Sequence, residues 1–162
     1  DWSEVALTRL VVDPLCVEIG QGCFESGLAA RCERVGDLTW EITLREGSTW
    51  DTGEPVTAHD ICSAILGARR SCGAARLATG LLGAVQAVDS STVRLWTRHS
   101  VGDIRPLLSH PGLAPNRPGS TCGKFGVSVH CGKPSRLYSR DHTTQIDVVS
   151  AVSGADVAVD IS

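Results

Sequence analysis

A chain of 162 residues, 42% hydrophobic and 20% charged, has the size and composition of one globular domain, which argues against a disordered or fibrous class. A formal charge of −3, with arginines and acids interspersed, offers no basic face to phosphates and argues against nucleic acid as a partner. No apolar run reaches the ~18 residues of a membrane span and no charged segment followed by an apolar one opens the chain, so the start at Asp1-Trp2 reads as a mature or trimmed end.

The seven cysteines are the first feature along the chain. Six fall into close sequence pairs, Cys16 with Cys23, Cys62 with Cys72 and Cys122 with Cys131, and Cys32 is left over. Paired in this way they point to disulfides and an oxidising compartment; the alternative is that small buried cysteines fill the core, and spacing alone does not choose.

From Leu38 to Leu44, Trp40, Ile42 and Leu44 alternate with Thr39, Glu41 and Thr43, the period of a half-buried strand. Asp51-Thr52-Gly53 then predicts a turn, and Pro55 an extended connection. Thr57 stands at an N-cap with Asp60 in the capping-box position, so its hydroxyl is expected to accept from the free amides of the first helical turn. Behind it Ile61, Ala64, Ile65 and Ala68 recur at helical spacing, and Leu77, Ala78, Leu81 and Leu82 predict a second helix after Gly73.

Segments 85–88 and 93–97 flank Asp89-Ser90-Ser91-Thr92 as a hairpin with polar turn chemistry. Asp103 is placed to cap a brief helix reaching Leu108, and a Pro/Gly-rich loop follows from His110. Short strands are predicted at 125–129, 136–139 and 146–149. Together these define an α+β domain with a mixed, mainly antiparallel sheet and a few flanking helices.

The common catalytic and cofactor motifs fail. Pro118 stands where a phosphate loop ending in Gly123-Lys124 needs its first glycine, and Phe125 stands where Ser or Thr would bind magnesium. Cys122, His130, Cys131 and His142 carry thiolate and imidazole chemistry, but their spacing matches no compact zinc knuckle, and a closed 122–131 hairpin is the structural alternative. Neither a cofactor nor a metal is expected. Of the four tryptophans, Trp40 reads as core, and Trp50, beside a turn, as a wall of a ligand site.

The stretch "GLAARCERVGDLTWEITLREGSTWDTGEPVTAHDICSAI" resembles the extracytoplasmic solute-binding proteins of ABC transporters, of the peptide- and nickel-binding family 5 type. The likeness lies in Gly-Leu-Ala, a strand, Leu-Arg-Glu-Gly, an aromatic, a turn, and a Pro-x-Thr-Ala-x-Asp segment opening a helix. "ALTRLVVDPL", "VQAVDSSTVRLW" and "LLSHPGLAP" resemble further segments, so the resemblance covers nearly the whole chain while the chain covers about a third of such a protein. Departures lie at residues 121–125, where an expected proline is lost, and in "SRDHTTQID".

The resemblance implies one lobe, residues 1–162, of a periplasmic-binding-protein-like fold, located outside the cytoplasm unless the cysteines are reduced. It implies a small-molecule or peptide-like ligand held at the loop leaving the first strand and at the glycine-aromatic turn. The matching positions are Val12, Asp13, Leu15, Thr121, Cys122, Gly123 and Phe125, with Trp50 beside them. Because the family clamps its ligand between two lobes, a single lobe presents half a site, and a second copy or a partner protein is expected to cover the former interlobe face. Two other functions compete on the same scaffold: a tailoring or cyclising enzyme of a biosynthetic pathway, and a protein-interaction module.

Overall fold

The computed structural model describes residues 12–71, 73–117, 120 and 122, together with the backbone of the strands Phe125–His130, Lys133–Ser139, Gln145–Val148 and Val159–Ile161. Strand β1 (Cys16–Gly20) and strand β2 (Cys23–Ser26) form an antiparallel two-stranded ribbon. Its turn places Gly20, Gln21 and Gly22 at φ values of 118°, 51° and 75°, so glycines stand where a side chain would be strained. Neither this ribbon nor the next strand was read from the sequence pattern.

Strands β3 (Ala29–Arg34), β4 (Thr39–Leu44), β5 (Leu82–Ala87) and β6 (Thr92–Thr97) form an antiparallel sheet in the order β3-β4-β6-β5. The predicted alternation holds: Trp40, Ile42 and Leu44 of β4 and Val93, Leu95 and Thr97 of β6 are buried on one face. Register brings Trp40 opposite Leu95 and Ile42 opposite Val93, and burial of each such side chain contributes about 1.5–3 kcal/mol. On the other face Arg94 Nη2 donates to Glu41 Oε2 at 2.8 Å across the same two strands. The β5–β6 turn is closed by Asp89, whose Oδ1 accepts from Ser91 N at 2.7 Å.

Helix α1 (Ala58–Arg70) lays Ala58, Ile61, Ile65 and Ala68 into the core and packs on β5 and β6. Its first turn carries the expected capping box, the Thr57 side chain turned to the Asp60 amide and the Asp60 side chain to the Thr57 amide. Asp60 Oδ2 accepts from Thr57 N and from the Thr57 hydroxyl, at 2.8 Å each. At the other end Arg69 Nη2 donates to the carbonyls of Leu82 and Gly83, tying α1 to the start of β5.

The predicted second helix is present after Gly73 but ends sooner than its apolar set implied. Helix α2 spans only Ala74–Ala78 and passes into a single 3-10 turn at Thr79–Leu81, with Leu82 already in β5. Leu77 is 80% exposed and Leu81 46%, so their helical spacing does not mark a core face. Helix α3 (Arg105–Leu108) has Ile104 rather than Asp103 at its N-cap, but Asp103, one residue ahead, still serves the first turn: its Oδ1 accepts from Arg105 N at 2.9 Å. A 3-10 turn at Pro111–Leu113 then brings Leu113 into the core beneath α1.

Strands β7 (Phe125–His130), β8 (Lys133–Ser139), β9 (Gln145–Val148) and β10 (Val159–Ile161) form a second antiparallel sheet in the order β10-β9-β8-β7. The three strands expected here are present, β7 and β8 longer than predicted. The class is α+β with antiparallel sheets, as read from the sequence.

The disulfide pairing is also corrected. Among the described residues, Cys16, Cys23, Cys32 and Cys62 are free thiols, so Cys16 and Cys23 are not joined. Cys16 and Cys23 lie near the two ends of the ribbon's pairing, opposite Ser26 and Gly20 respectively, and the sulfur nearest Cys16 belongs instead to Cys32, at 3.8 Å. The expected partners of Cys62 and Cys122, namely Cys72 and Cys131, lie outside the described residues.

Candidate functional site

The loop that leads into β1 folds back on the β2–β3 connection through three backbone hydrogen bonds: Gly27 N to Leu15 O (3.1 Å), Leu28 N to Pro14 O (3.0 Å) and Ala29 N to Leu15 O (2.9 Å). Gly27 is required for this approach. A Cβ there would lie 2.2 Å from the Pro14 carbonyl oxygen, and a backbone atom cannot step aside as a side chain can. From the other side Arg45 N donates to Leu28 O at 2.8 Å, bringing in the segment that leaves β4.

A cavity of about 370 Å³ opens where these segments meet, walled by Asp13, Gly27, Arg45, Ser48, Thr49 and Cys122 among others. Arg45 Nη2 lies 3.9 Å from Asp13 Oδ2, with the guanidinium half exposed and the carboxylate largely covered. Ser48 Oγ is buried and makes no hydrogen bond. The wall thus offers a cation, the carboxylates of Asp13 and Glu25, and the hydroxyls of Ser26, Ser48 and Thr49, a set suited to a small molecule carrying both signs of charge.

Of the residues expected at the ligand, Asp13 and Cys122 meet at this cavity although they are distant in sequence. Val12 is half-buried and packs against the core. Leu15 is fully buried, so its contribution is its carbonyl, which holds the β2–β3 connection in place. The Cys122 thiol is buried and donates to Pro115 O at 3.5 Å. Trp50 is 1% exposed, with the Arg117 guanidinium 4.6 Å above its ring, so that ring is occupied by protein on that face and presents no open wall. Arg117 in turn pairs with Asp60 Oδ1 at 2.9 Å and with Glu54. Thr121 and Gly123 lie outside the described residues, as does the side chain of Phe125, which opens β7.

Arg45, Ser48 and Thr49 were missed at the sequence level. They follow a strand that read as scaffold, and nothing in their spacing announces that the β2–β3 connection will close over them. Glu25 and Ser26 also line a second, larger cavity of about 530 Å³, whose other walls include Cys16, Cys32, Phe24, Trp40, Asp103 and Arg105. Among the described residues no group of three or more metal-ligating side chains is gathered.

The architecture is that of a solute-binding-protein fold, present here as part of one lobe. Among solved structures, an OppA of Burkholderia pseudomallei matches with a TM-score of 0.73 at 17% identity, over 91% of this chain and 34% of that one. Listeria monocytogenes OppA bound to peptide matches with a TM-score of 0.74 at 17% identity, over 88% of this chain and 35% of that one. The binding protein MoaA of A. tumefaciens R10, in complex with mannopinic acid, matches with a TM-score of 0.74 at 23% identity, over 86% and 33% of the two chains. The chain therefore spans about a third of the length of the solved proteins it matches, and at these identities the likeness establishes the fold. No protein-family model matches the sequence, and no curated protein is similar to it at the sequence level. No helix among the described residues is long and apolar enough to cross a membrane.

Proposed function

We propose that residues 1–162 act as a ligand-binding module, one lobe of the solute-binding-protein kind, taking a short peptide or a peptide-like small molecule outside the cytoplasm. The observation that carries this reading is the cavity itself. Asp13 and Cys122, placed at the ligand by resemblance, line it together with Arg45 and a set of hydroxyls. An α-carboxylate would pair with the Arg45 guanidinium and an α-ammonium with Asp13 or Glu25, with the Ser26 and Thr49 hydroxyls on the same wall. The solved OppA of Listeria monocytogenes, which shares the fold, holds a peptide. With free thiols at Cys16, Cys23, Cys32 and Cys62, the extracytoplasmic reading rests on the fold and not on a Cys16–Cys23 disulfide.

Half a clamp leaves one side of a bound molecule in water, so affinity should be micromolar or weaker until a second copy or a partner covers it. The test is an amide NMR titration with a panel of di- and tripeptides. Saturable shifts at Asp13, Gly27, Arg45, Ser48 and Thr49 are expected. Shifts confined to the first turn of α1 and the β5–β6 turn, with those five silent, would reject both the site and the function.

A further inference from the structure

Cys16 on β1 and Cys32 on β3 bring their sulfurs to 3.8 Å at the wall of the larger cavity. Cys16 is 3% exposed within the core, whereas Cys32 is partly exposed at its edge. Four charged groups line the same cavity: Glu25, Arg31, Asp103 and Arg105. The guanidinium of Arg105 is gripped by Asp103, Nε to Oδ1 at 3.0 Å and Nη2 to Oδ2 at 2.8 Å, and lies 5.7 Å from the centre of the Phe24 ring. Trp40 completes the wall, and its buried Nε1–H has no hydrogen-bond partner. The cavity therefore presents two adjacent thiols and a fixed cation.

We infer that Cys16 and Cys32 are a redox-active dithiol, a thiol–disulfide exchange site that takes small disulfides in the cavity and closes reversibly to a Cys16–Cys32 bond. The two thiols share one hydrogen bond, which holds the first of them to ionise below the usual thiol range against the effect of burial and pushes the other up. Arg105 favours the thiolate and Asp103 opposes it. The thiolate of the pair attacks one sulfur of a low-molecular-weight disulfide, a bond forms between them, and one thiolate leaves. The other thiol of the pair gives its proton to that leaving thiolate and attacks the protein sulfur of the mixed disulfide, forming the internal disulfide and releasing the second thiolate. Two electrons and two protons leave the pair, and the small disulfide becomes two thiols. The sulfurs close from 3.8 Å to about 2 Å, a movement of the size that a change of χ1 at the partly exposed Cys32 provides.

The test is mass spectrometry of the Cys23→Ser chain during titration with oxidised glutathione, Cys23 being exposed and outside the pair. The expected result is loss of two hydrogens, with tryptic segment 10–31 joined to segment 32–34, reversed by dithiothreitol. Closure of this short loop should raise Tm by roughly 5–10 °C. In Cys32→Ser, which alters a partly exposed residue and keeps the test alive even if Cys16→Ser does not fold, the 16–32 cross-link and the dithiothreitol-reversible rise in Tm should both be lost. Adducts spread over the other cysteines with no 16–32 cross-link, or a 16–23 cross-link in the unmodified chain, would overturn the inference.

Discussion

Asp60 is the acceptor on which the start of α1 depends, and its replacement gives the sharpest test of how that helix is held. Its carboxylate receives Thr57 N and Thr57 Oγ1 at 2.8 Å each, and Arg117 Nε and Nη2 at 3.2 and 2.9 Å, while the side chain is only 13% exposed. Asp60→Ala removes the reciprocal cap, about 1 kcal/mol, and leaves the Thr57 amide without an acceptor in a half-buried place, about 1 kcal/mol more. The expected loss is about 2 kcal/mol, because the Arg117 head is exposed enough to return to water and adds little. Asp60→Asn keeps one acceptor oxygen and should lose about half of that. Thr57→Ala removes the other half of the capping box and should lose about 1 kcal/mol. Urea unfolding at neutral pH measures all three. If Thr57→Ala cost more than Asp60→Ala, Asp60 would not be the acceptor on which the start of α1 depends. The pH dependence is a second check. Burial pushes the Asp60 carboxyl up, but the Thr57 amide, the Thr57 hydroxyl and Arg117 outweigh it and hold it below the usual carboxylate range. A folded value below the unfolded one means that this stabilisation is complete above about pH 4 and is lost as pH falls through the folded value. The Asp60→Asn chain should lack that component of the acid limb.

Gly27→Ala should destabilise by roughly 1–3 kcal/mol, because its Cβ would collide with the carbonyls of Pro14 and Leu15; an unchanged urea midpoint would refute the close approach. Arg45→Ala should weaken binding of a peptide with a free carboxylate about tenfold, measured by titration calorimetry, while stability stays within about 0.5 kcal/mol. Equal affinity for a peptide and its amidated form would show that Arg45 does not read the carboxylate. Leu77→Ser should leave the thermal melt within about 0.5 kcal/mol of the parent, since the side chain is 80% exposed; a larger loss would mean that it packs against something.

How much of this was legible depended on burial. Strand β4 announced itself because Trp40, Ile42 and Leu44 go to the core and the residues between them do not, which writes a period of two into the sequence. Helix α1 was equally plain, with Ile61, Ile65 and Ala68 one turn apart behind a threonine and an acid. The β1–β2 ribbon left no such mark. Glu18 faces solvent, but so do Val17 at 38% and Ile19 at 58%, so neither face is written as apolar. Its turn depends on a non-glycine residue, Gln21, at φ 51°, a conformation that glutamine does not advertise. The converse error occurred at Leu77 and Leu81, which carry helical spacing without burial. Periodicity reports a face only when something covers it.

The two cavities show a different limit. Nearest-neighbour spacing matched Cys16 with Cys23, yet an antiparallel ribbon assigns partners by register: Ser26 lies opposite Cys16 and Gly20 opposite Cys23. Cys32 reaches Cys16 because β3 returns along β4 on the core side, where Cys32 stands opposite Ile42 and two residues from Arg34, itself opposite Trp40. A sulfur contact formed through two strand registers and one loop is a tertiary fact with no local signature. The same holds for Asp13 and Arg45. Their meeting depends on Gly27 allowing the Pro14 carbonyl to approach where any larger residue would hold it off, so one glycine between two strands, rather than either charged residue, decides that this site exists.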